Sequence, residues 1–197
     1  GIPHVPADAT DVYRHTFPRM VAKTKQFYER YPIDIERAAV VADILQSRKV
    51  TLPNGDPLTV ERFQCLGSDF GMKPSFERVH WILDQAFLDG DGSASTSAEL
   101  SDEFLSSVMD ATSSRPLYWP LQEFIYANGE LEAPICWAAQ RVRGEYPEFA
   151  GDIRPLNFTG EAMFPWMFEQ ERALRPFKPA MDVLMEDTHF GTIYDAD

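Results

Sequence analysis

Proline is the feature that most limits what this chain can fold into. Fifteen of the 197 residues are proline, and they recur from residue 3 to residue 179. A proline inside a helix removes a backbone hydrogen bond, whereas at the first helical position it is well tolerated. Apolar residues between the prolines recur at helical spacing, and no run suits the strands of a central sheet. The sequence therefore predicts a mainly α chain of short helices, among them residues 116–129, 134–146, 161–172 and 179–186.

One segment departs from the helical pattern. Within residues 49–60, the pair Asn54-Gly55 lies between short β-prone runs, which is the signal of a tight β-hairpin. Thr59 comes directly afterwards and is a good N-cap for a following helix. We therefore expect a small two-stranded excursion that leads into a helix.

The length of the chain suits a single domain, so we expect residues 1–197 to form one. Residues 89–98 are polar and of low complexity, which predicts a mobile surface loop. The loop has some likeness to a calcium loop. However, Ala94 and Leu100 occupy the positions where such a loop needs glycine and glutamate.

The charge of the chain excludes several classes of function. The net charge is -13 and the isoelectric point is near 4.7, which argues against a nucleic-acid surface. No apolar run is long enough to cross a bilayer, and the first residues lack the pattern of a signal peptide. Cys65 and Cys136 stand alone, so reduced thiols are expected rather than a disulfide or a zinc site. We expect a cytoplasmic protein.

Groups suited to catalysis are scarce in this chain. A serine hydrolase of the α/β type needs a strand, a G-x-S-x-G turn and a helix in succession. Ser68 lies in LGSDFG, at the predicted end of a helix rather than after a strand. The histidines are His4, His15, His80 and His189. None is placed as a clear catalytic base, and we expect no catalytic residue and no cofactor here.

Two Glu-x-x-His pairs raise a metal alternative. Glu77 precedes His80 and Glu186 precedes His189 at this spacing, which supplies ligands in di-iron helical bundles. The bundle would need further carboxylates, for which the chain offers Glu123 and Glu161. The pattern arises readily by chance, and proline-broken helices do not suit a four-helix bundle. A di-metal protein is therefore a minor alternative, and no metal site is expected.

The segment from residue 118 to residue 168 concentrates aromatic side chains around isolated carboxylates. It contains YWPLQEFIYANG, CWAAQRVRGEYPEF and FTGEAMFPWMFEQ. A helix that only needs a core would be built from Leu and Ile. Rings that flank Glu123 and Glu161 instead suggest the walls of a pocket, where an apolar ligand body is held and a cation meets a carboxylate.

A resemblance to a known family is carried by LPNGDPLTVERFQCLGSDFGMKPSFERVHWILDQAF, LSDEFL, LQEFIYANG, WAAQRVRGEYPEF and FTGEAMFPWMFEQ. In this order they resemble the cap domain of the long bacterial proline iminopeptidases, over nearly the whole chain. In that family an α/β-hydrolase core carries a Ser, Asp and His triad, and a helical cap closes over it. The resemblance implies a multi-helical cap domain that lacks the core sheet and the triad, and that would be inactive alone. Its partners would be the core domain in cis and a peptide with N-terminal proline.

The resemblance also implies roles for particular residues. Glu123 is the first candidate for the carboxylate that meets the cationic imino group of the substrate, and Glu161 is the second. Tyr126, Phe164 and Trp166 are candidates for the pocket around the pyrrolidine ring. Three of these residues have a structural alternative, which is core packing for Tyr126 and Trp166 and helix capping for Glu161.

Two classes of function remain open from the sequence. The first is the substrate-selecting lid of a serine aminopeptidase, and the second is a stand-alone helical binding or interaction protein. A lid without its core leaves its docking face in water, so an exposed apolar patch and self-association are expected.

Overall fold

The computed structural model describes residues 8–72, 76–88 and 97–192. The α-helices of these residues are α1 (Ala9–Arg30), α2 (Ile33–Ser47), α3 (Val60–Gln64), α4 (Phe76–Asp84), α5 (Asp102–Ser113), α6 (Ala138–Arg143), α7 (Met167–Gln170) and α8 (Lys178–Leu184). The strands are β1 (Val50–Thr51) and β2 (Pro57–Leu58). Short 3-10 helices cover Cys65–Gly71, Trp119–Leu121, Glu123–Tyr126, Pro147–Phe149 and Arg175–Phe177.

The predicted mainly α fold with one small hairpin is confirmed. Most of the predicted loop at 89–98 lies outside the described residues.

Some predicted helices are shorter in the structure. In residues 116–129 two 3-10 turns replace one helix, because Pro120 has no N–H to continue an α-helical ladder. In residues 134–146 only α6 forms. Cys136 and Trp137 both have positive φ, 48° and 55°, and this left-handed backbone prevents a right-handed helix from starting before Ala138.

The described chain divides into two compact units. The first unit consists of Gly1–Thr16, Arg115–Glu145 and Ala162–Asp197, and the second of Phe17–Ser114 and Tyr146–Glu161. Helix α1 contributes its first turns to the first unit and its remainder to the second. None of the helices in the described ranges is both long and apolar enough to cross a membrane.

The second unit is built around phenylalanine. The buried ring of Phe158 meets those of Phe27, Phe63 and Phe70 at steep angles, with centroids 5.6 to 6.0 Å apart. Edge-to-face contacts place the positive ring edge on the negative face, so they add to the gain from burying apolar area. Each buried ring contributes roughly 1.5–3 kcal/mol by removal from water.

The hairpin belongs to the second unit and depends on local turn chemistry. Val50 pairs with Leu58 in the antiparallel register. Gly55 has φ +87°, a backbone conformation that costs glycine little. Asn54 accepts the backbone N–H of Asp56 at 3.0 Å and donates to its carboxylate at 2.9 Å. The Asn-Gly signal therefore forms the turn that the sequence predicts.

The guanidinium of Arg62 is fully buried beside this turn. It donates to the Asp56 carboxylate at 3.2 Å, to Thr112 Oγ1 at 3.1 Å and to Ser113 Oγ at 2.7 Å. A buried charge is tolerated only with such partners. The backbone N–H of Arg62 also donates to Thr59 Oγ1, so Thr59 caps α3 as predicted.

In the first unit, α6 and α7 are joined by aromatic contacts. The rings of Trp137 and Phe168 lie 5.6 Å apart. The guanidinium of Arg143 sits 5.6 Å from the centroid of the Phe164 ring, which is cation–π distance. These contacts lie at the two ends of α6, and they tie this helix to the segment that leads into α7.

Candidate functional site

Glu123 is a fully buried carboxylate at the start of the 3-10 helix Glu123–Tyr126. Its Oε1 accepts the backbone N–H of Ala139 at 3.0 Å. This N–H belongs to the first turn of α6, where helix N–H groups have no intrahelical acceptor. The residue before α6, Trp137, provides no side-chain cap. Glu123 therefore caps α6 from a distant position in the chain.

The second oxygen of Glu123 has a different environment. Oε2 is buried, and no hydrogen-bond partner is found for it in the described part of the chain. Burial raises the pKa of Glu123 to about 7, although the Ala139 N–H lowers it in part. The carboxyl is therefore divided between its neutral and ionised forms near neutral pH, and one oxygen is open to a donor.

Two further polar side chains surround this carboxyl. The Tyr13 hydroxyl donates to Gln122 Oε1 at 2.9 Å, and it lies near enough to the Glu123 carboxyl to lower the pKa of that group. Gln122 Nε2 is buried, and the described residues offer it no partner. Neither Tyr13 nor Gln122 is predicted from the sequence as a site residue. Gln122 adjoins Glu123 in the motif, but Tyr13 lies 109 residues before Gln122, and no local pattern indicates it.

The turn before α6 is strained and is held by one side chain. Two consecutive residues, Cys136 and Trp137, are left-handed without being glycine, and each costs of order 1 kcal/mol or more. Arg141 donates to the carbonyls of Ile135 and Cys136 at 2.6 and 2.5 Å, and to Thr10 Oγ1 at 3.0 Å. These hydrogen bonds fix the turn that presents the Ala139 N–H to Glu123.

A cavity of about 440 Å³ lies beside this network in the first unit. Its lining includes Tyr126, which is half-buried and lies three residues after Glu123. The lining also carries three carboxylates, the Arg141 guanidinium and apolar groups, namely Asp8, Glu130, Glu132, Arg141, Leu131, Pro134 and Ile135. Glu123 is not one of the residues that line the cavity, and Tyr126 is the lining residue of the same 3-10 helix. The cavity thus combines acidic and apolar character, which suits a cationic group on an apolar body.

The predicted aromatic residues of FTGEAMFPWMFEQ form a separate pair in the first unit. Phe164 is buried and stacks on Trp166, with centroids 5.8 Å apart and an interplanar angle of 14°. Arg143 also contacts the Phe164 ring. Trp166 is half-buried, and its Nε1 is without an acceptor among the residues described. This pair offers ring surface and one open indole donor.

Glu161 lies in the second unit and is exposed. The helix predicted to begin there starts later, at Met167, so Glu161 does not cap a helix of its own. The structure thus places Glu123 and Tyr126 in one helical turn and Phe164 with Trp166 in one stack. Glu161 belongs to neither group.

The residues of the metal alternative have other partners. Glu77 accepts a hydrogen bond from Arg30, and His80 Nδ1 lies 2.7 Å from Asp34 Oδ2. His189 is exposed on the surface of the first unit. In residues 8–72, 76–88 and 97–192, no three His, Cys, Asp or Glu side chains converge as a metal site would require.

The pKa of Glu123 predicts how folding stability depends on pH. The ordinary value is 4.5 and the folded value is about 7, so the folded state retains a proton that the unfolded state releases. Between these pH values stability falls as pH rises, by up to about 3 kcal/mol from this group. Urea unfolding of the native protein and of Glu123→Gln from pH 4.5 to 8 measures this, because other groups cancel in the difference. Parallel curves would contradict the raised pKa.

Comparison with known proteins gives two clear relatives. The chain is 38% identical to a protein named proline iminopeptidase from Aeromonas sobria, over 99% of this chain and 44% of that protein. It is 30% identical to proline iminopeptidase aneH from Aspergillus aculeatus, over 90% of this chain and 40% of that protein. No family model matches the chain. The chain spans less than half the length of either relative. It is therefore homologous, along almost its entire length, to a segment of the proline iminopeptidases.

Proposed function

We propose that this chain is the substrate-selecting helical lid of a serine aminopeptidase that releases N-terminal proline from peptides. The proposal is carried by one observation, the buried Glu123 carboxylate, whose Oε2 has no hydrogen-bond partner among the described residues. Homology to a segment of proline iminopeptidases supports it. In the proposal, a core domain in cis supplies the catalytic triad, and this chain alone is inactive.

The chemistry of an N-terminal proline fits such a carboxylate. Its imino nitrogen is a secondary ammonium group that carries two N–H donors and a positive charge. Glu123 Oε2 would accept one of them, and the charge-assisted hydrogen bond would be strong because water is excluded. The half-buried ring of Tyr126, which lines the cavity, would contact the same cation and the apolar pyrrolidine ring. A peptide without a free imino group would leave the carboxylate unpaired, so it would be rejected.

The position of Ser68 supports a separate source for the nucleophile. Ser68 lies in the 3-10 helix Cys65–Gly71, which follows α3 rather than a strand. A nucleophile elbow depends on a strand-to-helix turn that raises the serine hydroxyl towards its base. In the proposal the attacking serine and its oxyanion hole belong to the core domain, and the lid contributes substrate selection.

Glu161 is the second candidate carboxylate in this proposal. Because it is exposed, it can accept a hydrogen bond without displacing any packed group. Exposure also weakens its attraction for a cation, since water screens the charge. We therefore assign the leading role to Glu123, and Phe164 with Trp166 remain candidates for the ring pocket.

The proposal is tested by hydrolysis of prolyl-p-nitroanilide, its N-acetyl derivative and alanyl-p-nitroanilide. We expect the whole native protein to hydrolyse the free prolyl compound, and to act weakly or not at all on the other two. This chain alone should hydrolyse none of them. Hydrolysis by the chain alone would overturn the lid function, and a whole protein without prolyl activity would overturn the proposed reaction.

A stand-alone binding protein is the second candidate. It is favoured by exposed apolar side chains in the first unit, such as Leu117, Leu121 and Val183, which are 64 to 68% exposed. In a lid, a core domain in cis would cover such a surface. In a stand-alone binding protein, self-association would cover it. The mass of the native species in its source cells decides between them. A species well above 22.4 kDa with a G-x-S-x-G peptide supports the lid, and one at this mass supports the binding protein.

A further inference from the structure

Tyr13 is the least expected member of the Glu123 network. It lies in α1 and is 1% exposed, and its hydroxyl donates to Gln122 Oε1 beside the neighbouring Glu123, whose pKa it lowers. Burial, with the nearby charge of Glu123, raises the pKa of Tyr13 far above its ordinary value. Tyr13 therefore keeps its proton under all ordinary conditions, and it acts as a hydrogen-bond donor rather than as a base.

A phenol has only one proton to donate, so two acceptors compete for it. When Glu123 is neutral, the Tyr13 proton is directed to Gln122 Oε1, and the Glu123 proton can be donated to the Tyr13 oxygen. When Glu123 is ionised, the Tyr13 proton is drawn to the carboxylate, because hydrogen bonds to charged acceptors are the stronger ones. The hydroxyl thus has two orientations, each matched to one protonation state of Glu123.

Other groups that face Glu123 cannot replace this donor. The backbone N–H groups of Ala138 and Ala139 are fixed in the first turn of α6, and that of Ala139 already donates to Oε1. Arg141 is near enough to lower the pKa of Glu123 by its charge, but its guanidinium is held by Ile135, Cys136 and Thr10. Tyr126 is near enough to Tyr13 to raise the pKa of that hydroxyl electrostatically.

We infer that Tyr13 is the positioning residue of the Glu123 carboxyl, which it orients and whose ionised form it stabilises, so that the open oxygen can receive the cationic nitrogen of a substrate. The inference rests on the proposed function for the role of that nitrogen. The contact of Tyr13 with Gln122 and Glu123 is independent of it. Gln122 is the competing acceptor, and it sets how readily the hydroxyl proton moves to Glu123.

The test compares Tyr13→Phe with Tyr28→Phe in the whole native protein. Tyr28 is a matched control, because it is also a buried tyrosine, and its hydroxyl donates to the Leu156 carbonyl at 2.7 Å in the second unit. The Glu123 carboxyl is titrated directly by carbon NMR of glutamate-labelled protein, with its signal assigned from Glu123→Gln. We expect Tyr13→Phe to move this titration to higher pH and Tyr28→Phe to leave it unchanged.

Activity on prolyl-p-nitroanilide provides the second measurement. Tyr13→Phe should lower kcat/KM about fivefold at pH 7, because a smaller fraction of Glu123 is ionised, and the loss should disappear near pH 9. Tyr28→Phe should keep the shape of the pH profile. A purely structural role for Tyr13 would lower activity equally at every pH and leave the NMR titration in place, which would overturn the inference.

Gln122→Met provides a test of opposite sign and covers the case in which Tyr13→Phe does not fold. Methionine has a similar size but cannot compete for the hydroxyl proton, so the Glu123 titration should move to lower pH. An unchanged titration in this variant would overturn the inference. The titrations could shift as expected while none of the variants Tyr13→Phe, Gln122→Met and Glu123→Gln alters prolyl activity. In that case the inference about Tyr13 stands and the proposed function fails.

Discussion

Replacing Glu123 by glutamine in the whole protein is expected to lower kcat/KM for prolyl-p-nitroanilide by about two orders of magnitude. The glutamine amide oxygen can still accept the Ala139 N–H that Glu123 accepts at 3.0 Å, so α6 keeps its cap. What is lost is the negative charge that, in the proposed function, faces the imino group of the substrate. The loss should be largest above pH 7, where Glu123 is ionised in the native protein.

Glu171→Gln is the matched control for this variant. Glu171 is also a buried glutamate of the first unit, at 3% exposure, and it has no assigned part in substrate binding. We expect its kcat/KM to change little. If Glu123→Gln leaves kcat/KM unchanged, Glu123 is removed from the site, and Glu161→Gln measured on the same substrate becomes the decisive variant.

Replacing Gly67 by alanine is expected to destabilise the protein by about 3 to 5 kcal/mol. A Cβ at this position would lie 2.2 Å from the Thr159 carbonyl oxygen and 2.7 Å from Phe158 Cβ. These neighbours cannot withdraw easily, because the Thr159 N–H donates to the Gln64 carbonyl at 2.9 Å and Phe158 is at the centre of the aromatic core. Urea unfolding of the native protein measures the change.

Gly71→Ala is the control for the Gly67 variant. Gly71 ends the same 3-10 helix, and a Cβ added there meets nothing within 4 Å. Its free energy of unfolding should stay within about 0.5 kcal/mol of the native value. Equal unfolding midpoints for the two variants would mean that the chain relaxes around Gly67, and the close approach would then not limit this position.

Local features of the fold could be predicted from the sequence because their causes lie within a few residues. The Asn54-Gly55 turn and the Thr59 cap are of this kind, since each hydrogen bond closes within three positions. The lengths of the helices near residues 120 and 136 could not be predicted as well. The left-handed pair Cys136 and Trp137 has no glycine to indicate it, and Arg141, which holds the turn, is itself bound to Thr10 far away in the sequence.

In the candidate site too, some features depend on neighbouring residues and others on residues far away in the sequence. Glu123 stands out in the sequence because it is an isolated carboxylate among aromatic residues. Its hydrogen-bond donor Ala139 is 16 residues away, however, and Tyr13 lies more than a hundred residues before it. Burial of the carboxyl results from this assembly, so its raised pKa could not be derived from the motif. Glu161, equally prominent in its motif, is exposed.

The buried Arg62 has a consequence for how the small hairpin opens. A hairpin with two residues in each strand would normally fray by itself, since an isolated pair of strands is marginal in water. Here, opening the turn would take the Asp56 carboxylate away from a guanidinium that remains buried against Thr112 and Ser113 of α5, which costs more than opening an exposed turn. We therefore expect the hairpin and α5 to open together as one cooperative unit, so that the free energy of opening this turn is close to that of opening the helix.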